Sequence, residues 1–347
     1  MEDRALRLTS QKKATKLSWE KFDKNRNRDW GLYGVSMGIH DLNLSIGGWI
    51  PKMVTTIAAR SGVGKSALMH SFFGAGVVKR QNRRAEFLVL SWEMGVDRII
   101  DREVCMRLGV TQGAFTQGAK LFGDKTVEAI KSVYKECSAY PIEYQTASTN
   151  IDVVEGLVRD FCERCDEKSK EEGVDIQPVV IIDYLQMLQT RGSKQKNYEI
   201  GDFVNGIKAL ANETGASFGM LAQLNRAADD KELPTRNNLA ESKIIEDASD
   251  NLILLHRPEH VGQHFIVDPD TNLEVDAKGK MLLRVLKSRD YGIRDVLINC
   301  DIKYFRFWSQ DMAWGQEFHH LYTQKGFWMD HFGFSKNDAK QMNLDQN

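Results

Sequence analysis

Apolar residues in this chain fall into short unbroken runs, and segments with helical spacing fill the gaps between them. Residues 53–58, 85–90, 178–182, 217–222 and 251–255 are too short for helices and rich in β-branched or large side chains. That pattern predicts strands buried on both faces. Helices are predicted from Ala67 onward and over 97–108, 124–137, 151–167 and 198–213, where apolar positions recur three and four residues apart. A short strand is expected at 141–145, a helical snippet at 37–44 between turn signals, and a Lys/Glu-rich solvated connection at 166–173. Three further β runs, at 281–286, 295–299 and 303–308, follow one another without helices between them. Alternating strands and helices predict an α/β fold: a mostly parallel sheet covered by helices on both faces, with an antiparallel hairpin at one edge.

Length changes this picture little. At 347 residues the chain accommodates one large α/β domain with extensions, or two small ones. The division expected is a basic arm over 1–30, a main domain over 31–310 and a tail over 311–347. In the arm Lys12, Lys13, Lys16, Lys21, Lys24, Arg26 and Arg28 meet few acids, and Leu17, Trp19 and Phe22 are its bulky apolar groups in the second half. Such a segment buries no core of its own; it is either a disordered arm or a short helix that docks elsewhere. The tail is aromatic-rich (Trp314, Phe318, Tyr322, Phe327, Trp328), either packed on the domain or a peptide for a partner.

Charge is balanced, 47 Lys+Arg against 48 Asp+Glu, so only a local basic lining would serve a nucleic acid. No apolar run reaches the ~18 residues of a membrane span, and the first residues lack the core of a secretion signal. A cytoplasmic location is expected. Five scattered cysteines read as reduced thiols. Cys162 and Cys165 have no second Cys/His pair nearby, so they read as thiols on a helix's buried face rather than a zinc site.

Candidate chemistry begins where the strand at 53–58 runs into Ala59, Arg60, Ser61, Gly62, Val63, Gly64, Lys65, Ser66 and then a helix from Ala67. Glycines let the loop turn its N–H groups inward around phosphate oxygens, and the helix points its positive dipole end at the same anion. Residues 61–67 are therefore the expected cradle of a nucleoside triphosphate. Lys65 reaches its β- and γ-phosphates and the Ser66 hydroxyl binds Mg²⁺. Ala59 departs from the usual pattern, which has glycine there.

Asp183 ends the most apolar strand. In an open parallel sheet the strand C-termini line the ligand crevice, so this carboxylate is expected beside the loop as a second Mg²⁺ ligand, through water. Taken alone, an aspartate in that position also serves as a helix cap. Position 184 is tyrosine, which leaves Glu93, after the strand at 85–90, as the candidate that activates the attacking water. Gln223 ends another strand and is a candidate γ-phosphate sensor, weak by itself. Lys287 and Arg289 share a face at strand period. They form either a clamp for a phosphate held by another subunit or an ordinary charged edge.

Taken together, residues 59–66, Ser91-Trp92-Glu93-Met94, Ile181-Ile182-Asp183-Tyr184-Leu185-Gln186, Ala222-Gln223-Leu224-Asn225-Arg226 and Leu286-Lys287-Ser288-Arg289 resemble the motif set of DnaB-type replicative helicases. Leu239-Ala240-Glu241-Ser242 and Ile245-Glu246-Asp247-Ala248-Ser249-Asp250 fall in the same order, and the likeness runs from about Gly34 to Trp308. The resemblance implies a RecA-like P-loop NTPase that hydrolyses ATP with Mg²⁺ and assembles as a homo-oligomeric ring, usually a hexamer, around single-stranded DNA. By position it implies that Lys65, Ser66 and Asp183 handle phosphates and Mg²⁺, Glu93 activates water and Gln223 senses the γ-phosphate. Lys287 and Arg289 would act on the neighbour's ATP. Arg257 would lie against the base, with an aromatic from 304–307 on its other face.

Loops after the Asp183 and Gln223 strands would face the channel and offer Arg191, Lys194, Lys196, Arg226, Lys231, Arg236, Glu241 and Lys243 to DNA. Two departures bear on this, because Ala240 stands where the family has its DNA-contacting arginine and Lys243 where it has glycine. The first 30 residues stand where the family has a linker helix that packs on the adjacent subunit. The expectation is a compact phage- or plasmid-type helicase in a bacterial host's cytosol, with primase, polymerase and loader contacts open. Two other readings share parts of this sequence: a RecA-like recombination ATPase, and a non-motor subunit that binds ATP as glue.

Overall fold

In the computed structural model, which describes residues 10–26, 32–76, 83–117, 122–147, 150–183, 196–225, 233–239 and 242–312, every apolar run singled out above contributes a strand. In chain order the elements are α1 (Gln11–Arg26), α2 (His40–Ile46), β1 (Val54–Ala59), α3 (Lys65–Gly76), β2 (Arg83–Ser91), α4 (Val96–Leu108), α5 (Gln112–Gln117), α6 (Asp124–Cys137), β3 (Ile142–Gln145), α7 (Ile151–Glu172), β4 (Asp175–Asp183), α8 (Lys196–Thr214), β5 (Ser217–Gln223), α9 (Ser242–Ala248), β6 (Asn251–His256), β7 (Phe265–Val267), β8 (Glu274–Asp276), β9 (Lys280–Ser288), β10 (Arg294–Asp301) and β11 (Arg306–Ser309).

The main sheet has nine strands among the described residues, in the order β11-β10-β9-β6-β1-β5-β4-β2-β3. From β6 to β3 every pairing is parallel. β9 then pairs antiparallel with β6, β10 with β9 and β11 with β10, which forms the expected antiparallel edge. Period-two alternation divides each central strand between two cores. In β4, Val180 and Ile182 join Phe161 of α7 and Phe203 of α8 on one face. Val179 and Ile181 join Leu42 of α2 and Phe72 of α3 on the other. This two-sided burial is why the central strands read as continuous apolar runs.

Three local expectations need correction. The solvated connection at 166–173 is helix: α7 continues to Glu172 and stops at Gly173, which is left-handed at φ 62°. Lys and Glu are good helix formers, and two of them also contact the sheet. Lys168 and Arg84 each donate to the buried Glu86 carboxylate at 2.8 Å, and Arg84 pairs with Glu172. The helical snippet begins at His40 rather than 37, because residues before it are tied elsewhere, with Val35 bridged to Trp49 and Met37 N–H donating to Asn43 Oδ1. The run at 303–308 is a strand only in its second half; Ile302–Tyr304 is a 3-10 turn.

Of the two readings of the basic arm, α1 takes the helical one, with Leu17, Trp19 and Phe22 exposed. Cys162 and Cys165 lie on the buried face of α7, and burial pushes both thiols up, Cys162 to about 11. Among the described residues no helix is long and apolar enough to cross a membrane. The aromatic tail beyond residue 312 lies outside the described residues.

One close approach bears on how Trp49 and, through it, α3 seat on the sheet. A Cβ on Gly219 of β5 would stand 2.6 Å from Trp49 Cη2 and 2.7 Å from Ile181 Cδ1, and the Trp49 ring packs edge-on against Phe72. Gly219→Ala is therefore expected to destabilise the fold by roughly 1–3 kcal/mol through overpacking. Urea unfolding of the purified variant checks this; an unchanged midpoint would show that the indole shifts freely.

Candidate functional site

β1 ends at Ala59 in the middle of the sheet, and the loop that follows turns directly into α3 at Lys65. Gly62 and Gly64 take φ values of 75° and 119°, which L side chains rarely adopt. A Cβ on Gly64 would also stand 2.8 Å from Ile302 Cδ1. Ala59, by contrast, is an ordinary strand residue paired with Gln223 and Leu255, so the missing first glycine has no conformational cost. A glycine-rich loop running into the N-terminus of the twelve-residue α3 is an arrangement able to receive an anion.

Strand direction brings Asp183 and Glu93 to the same edge. Asp183 closes β4 opposite Ser91 of β2, and the Trp92 N–H donates to the Asp183 carbonyl at 2.8 Å, which carries the chain on to the exposed Glu93. Burial pushes the Lys65 ammonium down, and the Asp183 and Glu93 carboxylates partly restore it. Burial pushes the Asp183 carboxyl up, against the pull of Lys65 and the Ser66 hydroxyl. Both Asp183 carboxylate oxygens are buried without a hydrogen-bond partner at normal distance, although Ser66 lies close enough to affect their charge. Gln223 sits at the end of β5, beside Ala59, with the next N–H, of Leu224, donating to the Ala59 carbonyl at 2.9 Å.

Sequence reasoning missed Arg102. It projects from α4 toward Asp183 and Glu93, and burial pushes its guanidinium down while those carboxylates raise it. Its guanidinium lies 5.3 Å from the centre of the Phe305 ring. The available signal was helical register: Arg102 lies three residues from the buried Ile99 and Cys105, on the buried stripe rather than the solvated one.

On the other side of the cradle, Arg257 opens the 3-10 turn Pro258–Val261 and its Nη2 lies 3.0 Å from His260 Nδ1. The His260 ring in turn lies against the loop, where a Cβ on Gly62 would meet it at 3.1 Å. His260 was not singled out from sequence. Of the aromatics at 304–307, Phe307 is fully buried in the core and Phe305 packs near His70 and Arg102, while Tyr304 faces Arg306.

Lys287 and Arg289 are not brought to this cluster. β9 runs antiparallel to β6, so its end lies beside Asp250 and Asn251, at the opposite edge of the sheet from the glycine-rich loop. The six residues of β1 separate the two edges, about 20 Å at strand rise. Lys287 Nζ donates to the Glu246 carbonyl of α9 at 2.6 Å, and Arg289 Nε lies 3.0 Å from Asp250 Oδ1.

Among the expected DNA contacts, Arg191, Lys194, Arg226, Lys231 and Glu241 lie outside the described residues, and Lys196 is the first residue of α8. Lys243 is exposed on α9. Arg236 pairs with Glu246 at 2.7 Å and donates to the Leu286 carbonyl.

Known proteins resemble this chain over most of its length. The family described as the DnaB-like helicase C terminal domain matches residues 34–309. The chain is 28% identical over 249 residues to a replicative DNA helicase DnaB of Leifsonia xyli, covering 70% of this chain and 51% of that protein. It is 24% identical over 250 residues to one of Geobacillus stearothermophilus, with the same coverage. A probable plasmid replicative DNA helicase of Chlamydia trachomatis is 27% identical over 209 residues, 58% of this chain and 42% of that one. The chain thus spans about half the length of the curated relatives it matches.

In fold it is similar to the solved ATPase domain of a phage helicase, with a TM-score of 0.73 at 19% identity over 87% of this chain and 99% of that one. It is also similar to a DnaB-like replicative helicase described with its interactions with primase, with a TM-score of 0.68 at 19% identity over 87% and 67%. The mostly parallel sheet with its antiparallel edge is the RecA-like fold of this group. With its match running from Gly34 to Ser309, across the sheet and the glycine-rich loop, the chain belongs to the family of the DnaB-like helicase C-terminal domain.

Proposed function

We propose that this chain is the ATP-driven motor of a ring-forming DNA helicase, which translocates on single-stranded DNA and unwinds duplex at a replication fork. The observation that supports it best is a division of labour across the sheet. Lys65, Ser66, Asp183 and Glu93 gather at one edge, while Arg289 sits at the other with no path to its own cradle. Such a chain gains a complete site only where a second copy presents its far edge to the first. A homo-oligomeric ring, hexameric in this reading, satisfies that for every subunit.

Each residue then has a role. The loop from Ser61 to Ala67 holds the triphosphate, Lys65 meets the β- and γ-phosphates and Arg257 lies against the base. Asp183 and Ser66 fit a hard, oxygen-seeking cation: two buried carboxylate oxygens lack a partner and a hydroxyl stands beside them. Mg²⁺ held there would neutralise charge on the transferring phosphoryl group. Glu93, exposed to solvent across from Lys65, orients and deprotonates the attacking water. Gln223, at the start of the loop that leads toward the DNA, reports the γ-phosphate. Lys287 and Arg289 stabilise the neighbour's transferring phosphate. That hydrolytic set favours a motor over a subunit that binds ATP as glue.

Arg191, Lys194, Lys196, Arg226, Arg236, Glu241 and Lys243 line the channel for single-stranded DNA, and α1 packs its Leu17, Trp19 and Phe22 on the adjacent subunit. A primase, a polymerase or a loader are the partners this reading allows, in a bacterial cytoplasm.

Three outcomes test it. Lys65→Ala and Arg289→Ala are each expected to abolish ATP turnover, since an arginine finger contributes on the order of 10³–10⁵ in rate. Mixed, they are expected to recover part of it, because some interfaces pair an intact loop with an intact finger. Steady-state ATPase with DNA decides; no recovery in mixed assemblies shown to form would sink the reading. Glu93→Gln is expected to bind ATP and assemble while hydrolysing it on the order of 10²–10⁴-fold more slowly. Near-normal turnover would move water activation elsewhere. Single-stranded DNA binding is expected to weaken with salt at a log–log slope of roughly −0.7 per phosphate contact. Replacing Lys194 and Lys196 with alanine should flatten that slope, measured by fluorescence anisotropy; an identical slope would place the DNA away from this loop.

A further inference from the structure

Asp250 lies between α9 and β6 and is 2% exposed, yet its carboxylate is shared among three distant parts of the chain. Oδ2 accepts from the Val54 N–H at 2.8 Å, at the start of the strand that carries the phosphate loop. The same oxygen pairs with Lys208 of α8. Oδ1 lies 3.0 Å from Arg289 Nε. Main-chain bonds hold the same place: Asp250 N–H donates to the Val54 carbonyl at 2.8 Å, and Arg289 N–H to the Asp250 carbonyl at 3.1 Å.

The way Arg289 is held matters. A guanidinium gripped by Nε keeps its two terminal nitrogens free and aimed along the side-chain axis, the geometry for bidentate recognition of phosphate. Arg289 is 54% exposed, and no second partner for it exists among the described residues. Lys287 is different, since its ammonium already caps the carbonyls of Glu246 and Asp247. One side of the guanidinium therefore lies at ion-pair distance from a buried carboxylate, while the side chain as a whole is more than half exposed.

We propose that Asp250 is a positioning residue for Arg289: it fixes the guanidinium's direction relative to β1, so that the finger is presented in register with the neighbouring subunit's triphosphate. The assignment rests on the trans-acting reading of Arg289 given above. Lys208 pairs with the second carboxylate oxygen, so the carboxylate is held between two cations. The same carboxylate also ties Arg289 to Lys208 of α8.

The test assigns Asp250 to a complementation group. Asp250→Asn keeps the shape and removes the charge that grips Nε. It is expected to lower kcat for ATP by about 10–100-fold, the loss typical of a misaimed group, with KM within about twofold. Mixed with Lys65→Ala subunits it should recover activity, because its own phosphate loop is intact. Mixed with Arg289→Ala it should not, because both lack a working finger. A residue that merely stabilised β1 would do the reverse or fail with both, and either result overturns the proposal.

If Asp250→Asn melts near room temperature, Asp250→Glu keeps the charge beside Lys208 and moves the oxygens by one methylene. It should fall in the same group, and a different grouping overturns the assignment. The Lys65→Ala and Arg289→Ala mixture serves as control. If that pair fails to recover, the trans-acting reading itself falls and this one with it. If it recovers while Asp250 variants group otherwise, only the positioning role is lost.

Discussion

Six neighbouring strands, β6-β1-β5-β4-β2-β3, run in one direction, and that shared direction is the constraint on which the remaining structure depends. Parallel strands need crossovers and bury both faces, so every connection from a strand end emerges at the same edge. Residues 61–66, Glu93, Asp183 and Gln223 stand at or just beyond those ends, so residues far apart in sequence share one line of loops. β9 then reverses, and the reversal alone moves Arg289 to the far edge, beside Asp250. The same sheet thus carries the glycine-rich loop at one edge and, at the other, a cation out of its reach.

The charged residues of the cradle are held against a cost. Lys65 and Asp183 are both desolvated, and each shifts toward its neutral form. α4, which carries Arg102, is tied at several points. Burial pushes the Glu103 carboxyl up, but Arg107 and His70 outweigh it and hold it ionised; His70 Nδ1 on α3 lies 3.4 Å from it. Arg107 also pairs with Glu136 of α6 at 2.9 Å and meets Tyr140. Arg306, pushed down to about 10 by burial, donates from Nε to the Met106 carbonyl near the helix C-terminus at 2.8 Å. A buried charge pair broken on one side is costly, so this network keeps α4, and with it Arg102, at a fixed distance from Asp183.

Much of the site was legible in sequence because its signals are local. Gly62 and Gly64 need backbone conformations that side chains forbid, Lys65 and Ser66 follow at fixed offsets, and Asp183 ends an apolar run that only a buried strand explains. Residues whose meaning lies in a partner far along the chain were not legible. Arg102 and His260 were not singled out at all, and Asp250 stood only as one acid in a family-like stretch. Nothing within a few positions of any of them names Asp183, Gly62 or Arg289 as its neighbour. The stretch at 166–172 failed for a related reason: lysines and glutamates compose a solvated loop and a helix face equally well, and Arg84 and Glu86 on β2 decided between them.

By itself, then, the sequence determined the α/β class, the order of the main strands and helices along the chain though not α5, α9, β7 or β8, the glycine-rich loop and the strand-end carboxylates. Each of these follows from periodicity or from the stereochemistry of a few adjacent residues. Only the tertiary structure decided the order of strands across the sheet, the edge at which each loop emerges and the partners of the buried charges. Those depend on which strands pair and in which direction. Pairing is settled by burial summed over both faces of the whole sheet, a quantity that no local window of sequence contains.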